Sequence, residues 1–254
     1  MLGLLGLICF SLWIPQSAAA KDPSPDATDE STDKLSTRQF GKDVLGDFAG
    51  LFSIRNAAPF AIGVAGTALA TIPEQSIQAH FAPGNRWGAW AEPGHYLGNS
   101  SLLGAASGTL FWASRKSDDS RFRAATYSLL RGSIVNAAVT RTMKVAFNRQ
   151  RPNGESHSFP SDHASTSFMW ATVFASHYGR KAAIPGFLAA TYIAASRLER
   201  NKHHLTDVVA GAAIGYLAGK TAARRTKQGS DRRVTWHVVP MGRGAAASIQ
   251  IRLF

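Results

Sequence analysis

Three apolar stretches in the second half of the chain, residues 161–178, 182–196 and 205–222, set the tightest limit on its fold. Each is long enough for about four or more helical turns. The last two are dense in small residues: Ala189, Ala190, Ala194, Ala195, Gly211, Ala213, Gly215 and Gly219. Small side chains let helix axes approach closely, in water or in lipid, so these segments are built to pack helix on helix. Upstream the helical period continues. Val44, Leu45, Phe48, Leu51 and Phe52 share one helical face, and residues 57–72 form an apolar run ended by Pro73. Residues 96–112 and 120–148 follow, the latter with Leu129, Leu130, Ile134, Val135, Ala138 and Met143 as its expected buried stripe. The pattern predicts an all-α fold, a compact bundle of about six core helices over residues 41–223. Residues 224–254 then read as a basic connector (Arg224, Arg225, Lys227, Arg232, Arg233) and a short C-terminal β-hairpin. Val234, Trp236 and Val238 alternate, as do Ile249, Ile251 and Leu253, with Gly242 and Gly244 between them.

The first 20 residues have a different character. An apolar run to Ile14, then Pro15 and the small residues Ala18, Ala19 and Ala20, predicts a signal peptide over residues 1–20 and export to the periplasm, although no Lys or Arg precedes the run. Residues 21–40, rich at first in Asp, Pro, Ser and Thr, are expected to be a flexible linker. The only cysteine, Cys9, falls in the leader, which excludes a disulfide framework, a thiol nucleophile and a cysteine-based zinc site in the mature chain.

Mean hydropathy is −0.08, low for a chain made mostly of membrane spans. Arg131, Arg141 and Lys144 interrupt the 120–148 segment, and the sequence favours a compact helical domain, soluble or peripheral to or embedded at a membrane, over a multi-span protein. The net charge of +12 suits anionic partners, whether phosphorylated substrates or lipid headgroups. No basic–aromatic motif of a nucleic-acid module is present, so nucleic acid is not an expected partner. Oligomeric state is not legible.

Between Lys144 and Asp207 lies a concentration of chemistry-bearing residues. Lys144 and Arg151, seven apart, fall on one helical face, and Pro152 ends helix at Arg151. Ser161 has the place of an N-cap, and a helix N-terminus offers free N–H groups and partial positive charge to an anion. Its hydroxyl and the Asp162 amide are candidate donors, with His163 next in line. His203 and Asp207 are spaced i, i+4. A carboxylate so placed fixes the imidazole tautomer and frees the other nitrogen as a nucleophile. The same pair suits a metal, but the sequence shows no second pair to complete such a site, and the nearby cations repel one.

In order and spacing the three stretches resemble the signature of the type-2 phosphatidic acid phosphatase and vanadium haloperoxidase superfamily. The first block, Lys, six residues, Arg-Pro, is Lys144 to Pro152. The second, Pro-Ser-Gly-His, is Pro160-Ser161-Asp162-His163. The third, Ser-Arg, five residues, His, three residues, Asp, runs from Ser196 and Arg197 through His203 to Asp207. One position departs: Asp162 stands where the family has Gly, which brings a carboxylate close to an expected phosphate.

The resemblance implies a phosphatase that acts on a phosphate monoester or diphosphate, a phosphorylated lipid or small phosphate ester, without metal or cofactor. Lys144, Arg151 and Arg197 are then the groups that neutralise the phosphoryl oxygens, aided by Ser161 and the Asp162 amide. His203 is the nucleophile that forms a phosphohistidine, Asp207 orients it, and His163 serves the leaving group as acid and water as base. Two alternatives stand beside this: a haloperoxidase holding vanadate in the same pocket, and a catalytically silent binder of anionic lipid.

Overall fold

The computed structural model describes residues 37–81, 86–231, 234–241 and 244–251. The leader, most of the linker and Cys9 lie outside the described residues. Nine α-helices occur among the described residues: α1 (Thr37–Leu51), α2 (Ala57–Leu69), α3 (Thr71–Phe81), α4 (Glu92–Leu97), α5 (Ser100–Ser114), α6 (Ser120–Phe147), α7 (Asp162–Tyr178), α8 (Arg180–Glu199) and α9 (Leu205–Asp231). The all-α expectation holds, with more helices than the six expected. Pro73 does not stop the chain but sits in the first turn of α3, where a missing N–H is tolerated. The expected 96–112 helix is broken at Gly98, because the Asn99 side chain accepts from the Ser101 and Leu102 amides and starts α5 afresh.

α7 is the centre, packed against α6, α8 and α9. It starts on Ser161, whose Oγ accepts from the Ala164 amide, and stops at Gly179, which has a φ of +74°. Its tightest neighbour is α9. A Cβ on Gly211, Gly215 or Gly219 would meet the carbonyl oxygen of Ser161, Ser165 or Met169 at 2.4, 2.0 and 2.6 Å. The three glycines, one helical turn apart, form a seam on which the α7 backbone rests directly.

The interior is more polar than the periodicity predicts. Leu51, Leu129, Val135, Met169, Val173 and Leu217 make an apolar cluster. Around it, Asn136 Nδ2 donates to Ser165 and Thr166, Asn56 Nδ2 to Thr221 and the Gly50 carbonyl, and Ser114 pairs with Thr126. Buried Asp47 on α1 pairs with Arg131 at 3.0 Å and Arg225 at 3.1 Å, and Arg131 also donates to Thr226 and the Ala222 carbonyl. The expected apolar stripe of α6 is therefore only half right. Leu129 and Val135 are buried and Leu130 and Met143 half-buried, but Ile134 and Ala138 are exposed, while Ser128, Arg131, Asn136 and Thr140 point inward. On α1 the buried residues are Asp47 and Leu51, and Leu45 and Phe48 face outward, as does Phe52 just past its end.

Conversely, large apolar side chains stand outside: Phe60, Ile62 and Val64 on α2, Leu102 and Trp112 on α5, and Leu188 on α8. No single helix among the described residues is long and apolar enough to cross a membrane. Residues Thr37–Leu51 and Ile54–Leu69 together have the length and composition, but are bent by 57°.

Two expected boundaries shift. Helix begins at Thr37, inside the stretch read as linker, and Arg224, Arg225 and Lys227 of the basic connector fall in the last turns of α9, where Lys227 donates to the Ser176 carbonyl, while Arg232 and Arg233 lie outside the described residues. Beyond it the backbone strands Val234–Met241 and Gly244–Ile251 run antiparallel in the region of the expected hairpin. Their side chains lie outside the described residues.

Candidate active site

Four segments bring the candidate residues together. α6 ends where Asn148 takes a left-handed conformation (φ 38°) and donates its N–H to the Lys144 carbonyl, so Lys144 occupies the last turn. Arg151 falls in the following loop, as the Pro152 signal predicts. It closes a turn with Gly154, and its Nη1 lies 3.0 Å from Glu155. Ser161, Asp162 and His163 open α7, Arg197 sits near the end of α8, and His203 and Asp207 flank the start of α9.

His203 is not on the helix. It lies in the turn before α9, and His204 has the N-cap place. Asp207, in the first turn, reaches back with Oδ2 to the His204 amide at 2.8 Å, the reciprocal contact of a capping box. The same oxygen accepts from the Ser158 hydroxyl, while Oδ1 accepts from Arg149 at 2.8 Å. Asp207 Oδ2 stands 3.7 Å from His203 Nδ1, an ion-pair separation longer than the direct hydrogen bond expected from the spacing. Burial alone would raise the Asp207 carboxyl, but the facing imidazole, the Ser158 hydroxyl, the His204 amide and Arg149 outweigh it and bring it down to about 2. His203 is 2% exposed, and burial holds its imidazole down at about 4, so the ring is neutral near pH 7 with Nε2 turned towards Asp162.

Lys144 Nζ donates to the His157 carbonyl at 2.9 Å and lies 3.7 Å from Asp162 Oδ1. Burial lowers the Lys144 ammonium, and Asp162 counters it. Burial also brings Arg197 down to about 10, a group still charged at neutral pH. Among the described residues, Arg151 Nε, Arg197 Nε, His163 Nδ1 and His203 Nδ1 are buried without a hydrogen-bond partner. Fixed cations and imidazoles around one locus are what a multiply charged oxyanion needs for binding and for stabilisation as charge moves. Among the described residues, no group of three His, Cys, Asp or Glu is arranged to hold a metal.

Three further residues enter that the sequence reading did not single out. His95 on α4 stacks on His163 with centroids 5.8 Å apart. Its carbonyl lies 3.2 Å from His163 Nε2, and its Nδ1 is 3.3 Å from Arg197 Nη1. α4 is held on α8 through Glu92 to Arg200, and by Gly94 and Gly98, where a Cβ would strike Ser196 and Ile193. The available signal was His95 between two glycines one turn apart. Arg149 and Glu74 form the other addition. Arg149 bridges Asp207 and Glu74, and Glu74 accepts from the Thr206 amide and hydroxyl, so α3 is tied to the start of α9.

Residues 124–229 match the family model described as the PAP2 superfamily, a range that holds all three blocks. The lipid A 1-phosphatase of Porphyromonas gingivalis is 38% identical over 95 residues, which is 36% of this chain and 20% of that protein. The chain thus spans about a fifth of that relative's length. The crystal structure of a transmembrane PAP2-type phosphatidylglycerolphosphate phosphatase from Bacillus subtilis covers 77% of this chain and 96% of its own at 16% identity. Its TM-score is 0.38, too loose a superposition to inform the site. The three blocks, in order and on either side of the buried His203, all fall within the stretch 124–229 that is similar to the PAP2 superfamily.

Proposed function

We propose that the chain is a phosphatase that hydrolyses a phosphate monoester or diphosphate carried by a lipid, through a phosphohistidine on His203 and without a metal. The observation that carries this reading is that Lys144, His163 and the Nε2 of a buried, neutral His203 meet at one oxygen of Asp162, with Arg197 reaching His95 beside His163. In the first step Nε2 forms a bond to phosphorus as the bond to the leaving oxygen breaks, and His163 gives that oxygen its proton. Lys144, Arg151 and Arg197, with the Ser161 hydroxyl and the Asp162 amide, hold the three peripheral oxygens. Asp207 steadies the positive charge that grows on His203. In the second step water attacks phosphorus, His163 takes its proton, and the N–P bond breaks to release orthophosphate.

A lipid is favoured over a soluble ester on two grounds. The relative from P. gingivalis is named for a lipid phosphate, and large apolar side chains on α2, α5 and α8 face outward. The outward Phe, Trp and Leu side chains and the net positive charge suit contact with an anionic membrane surface, and export would place the enzyme on the periplasmic side. The test is phosphate release by the purified protein in EDTA from phosphatidate, phosphatidylglycerophosphate, a polyprenyl diphosphate and lipid A, with p-nitrophenyl phosphate as the soluble comparison. Release that is lost in His203→Ala and blocked by orthovanadate is expected. Undiminished release by His203→Ala, or release only when a divalent metal is restored, refutes the mechanism.

A further inference from the structure

The geometry points to Asp162 as an internal stand-in for the phosphoryl group: a carboxylate that the substrate's oxyanion has to displace before His203 can attack. This rests on the phosphatase reading above, because it takes the groups around Asp162 to be the oxyanion-binding set. Asp162 Oδ1 lies 3.7 Å from Lys144 Nζ, 3.6 Å from His163 Nδ1 and 4.0 Å from His203 Nε2. One oxygen is thus shared by a cation and two imidazoles from the last turn of α6, the first turn of α7 and the turn before α9. Its companion Oδ2 accepts from the Ser100 hydroxyl at 3.2 Å, which ties the pose to the start of α5.

An acidic residue in the first turn of a helix is favourable wherever its side chain points, so helix energetics do not explain this orientation. The direction is set by the three nitrogens. Burial would raise the carboxyl, but His163, Lys144 and His203 more than offset it and hold Asp162 far below the ordinary carboxylate range. The group is therefore an anion throughout the range in which His203 is a free base.

A phosphoryl dianion brings like charge to within a few ångströms of this carboxylate, where repulsion is strong in a partly buried site. Both cannot hold Lys144 and His203 at once. The side chain is 31% exposed, so rotation about Cα–Cβ has solvent to turn into, and the Asp162 backbone N–H stays in place as a donor. The apparent affinity for an oxyanion is then the intrinsic affinity multiplied by the fraction of molecules with the carboxylate turned out. Asp162 becomes the residue that sets how much binding energy a substrate must bring from its non-phosphate part.

The experiment is calorimetric titration of the full chain with inorganic phosphate and with orthovanadate. The variants are wild type, Asp162→Asn, Asp162→Gly, Ser100→Ala, and Ser100→Ala combined with Asp162→Gly. Both Asp162 variants are expected to bind each anion about 10-fold or more tightly, since a site open in a tenth of molecules gains that factor when always open. Ser100→Ala, which loosens the resident carboxylate, should tighten binding by about two- to threefold in wild type and leave the Asp162→Gly value unchanged. A purely structural Ser100 would show no such dependence on Asp162. The near-isosteric Asn variant keeps the test decisive if the Gly variant folds poorly. Equal or weaker binding in both Asp162 variants, with His203-dependent turnover intact in wild type, overturns the stand-in alone. Absence of anion binding in every variant, together with absence of turnover, overturns the phosphatase reading with it.

Discussion

Replacing Gly215 by Ala tests whether the glycine seam sets the spacing of α7 and α9. The added Cβ would lie 2.0 Å from the Ser165 carbonyl oxygen, 2.8 Å from its carbon and 2.9 Å from the Met169 nitrogen. All three are backbone atoms of a helix and cannot rotate away. A carbon resting on a carbonyl oxygen needs about 3.3 Å, so the helices must part by roughly 1.3 Å at this level. Overpacking of this kind costs about 1–3 kcal/mol, and the upper end applies where no side chain can yield. The better helix propensity of Ala returns about 1 kcal/mol, leaving a net loss of about 2 kcal/mol. In a domain of this size that lowers Tm by roughly 4–8 °C. Gly104→Ala in α5 is the control, because nothing lies within 4 Å of its Cβ position and only propensity acts. It should raise Tm by roughly 2–4 °C. The assay is thermal unfolding of the three proteins followed by far-ultraviolet circular dichroism. A Gly215→Ala protein that melts at or above wild type, or moves with Gly104→Ala, refutes the seam as a spacing device. Turnover should fall with it by about 10-fold or more, since the same seam fixes Ser161 and His163 against His203.

Four other outcomes follow from the polar contacts. Because burial holds His203 down at about 4, kcat/KM should keep its value below pH 6 and fall only as pH drops through about 4; an acid limb at 6.5 would contradict this. The folded chain then binds fewer protons than the unfolded one between about 4 and 6.5, so stability should rise with pH across that window and be lost as pH falls through it. His177, also lowered to about 4 by burial, contributes in the same direction, and denaturant midpoints at each pH would show it. Asp47→Ala strands Arg131 without its buried counter-charge and should destabilise by about 3–5 kcal/mol in urea, with partial recovery when Arg131→Met is added; an unchanged midpoint would refute a stabilising role for the pair. Arg149→Met frees one side of Asp207 and should lower kcat by roughly 10-fold with KM little changed, whereas a KM effect alone would place Arg149 on the substrate instead.

How much of this was legible in the sequence depended on the range of the contact. Lys144, Ser161 and Asp207 could be placed from local rules, since a cap, a C-terminal turn and a Pro are read within a few residues. The departure of His203 from helical geometry is a boundary effect: Asp207 caps the helix back onto His204, and the spacing alone does not reveal which side of the cap the histidine takes. His95, Glu74 and Arg149 reach the site across 68 residues or more in two of the three cases, through contacts with no sequence period. The inverted stripe of α6 failed for another reason. Periodicity assumes that buried means apolar, but Ser128, Arg131 and Asn136 are buried with partners across the helix interface, and buried Thr140 bonds back to the Asn136 carbonyl of its own helix.

That polar interior bears on how the molecule responds to temperature. The heat-capacity increment of unfolding comes from apolar surface newly wetted, and exposed peptide and hydroxyl groups reduce it. A bundle joined by Asn136, Ser165, Thr126 and Asn56, with many of its Phe and Trp rings already outside, has less apolar area left to expose. Its stability curve should be flatter than that of a leucine-cored bundle of equal length, with little weakening on cooling.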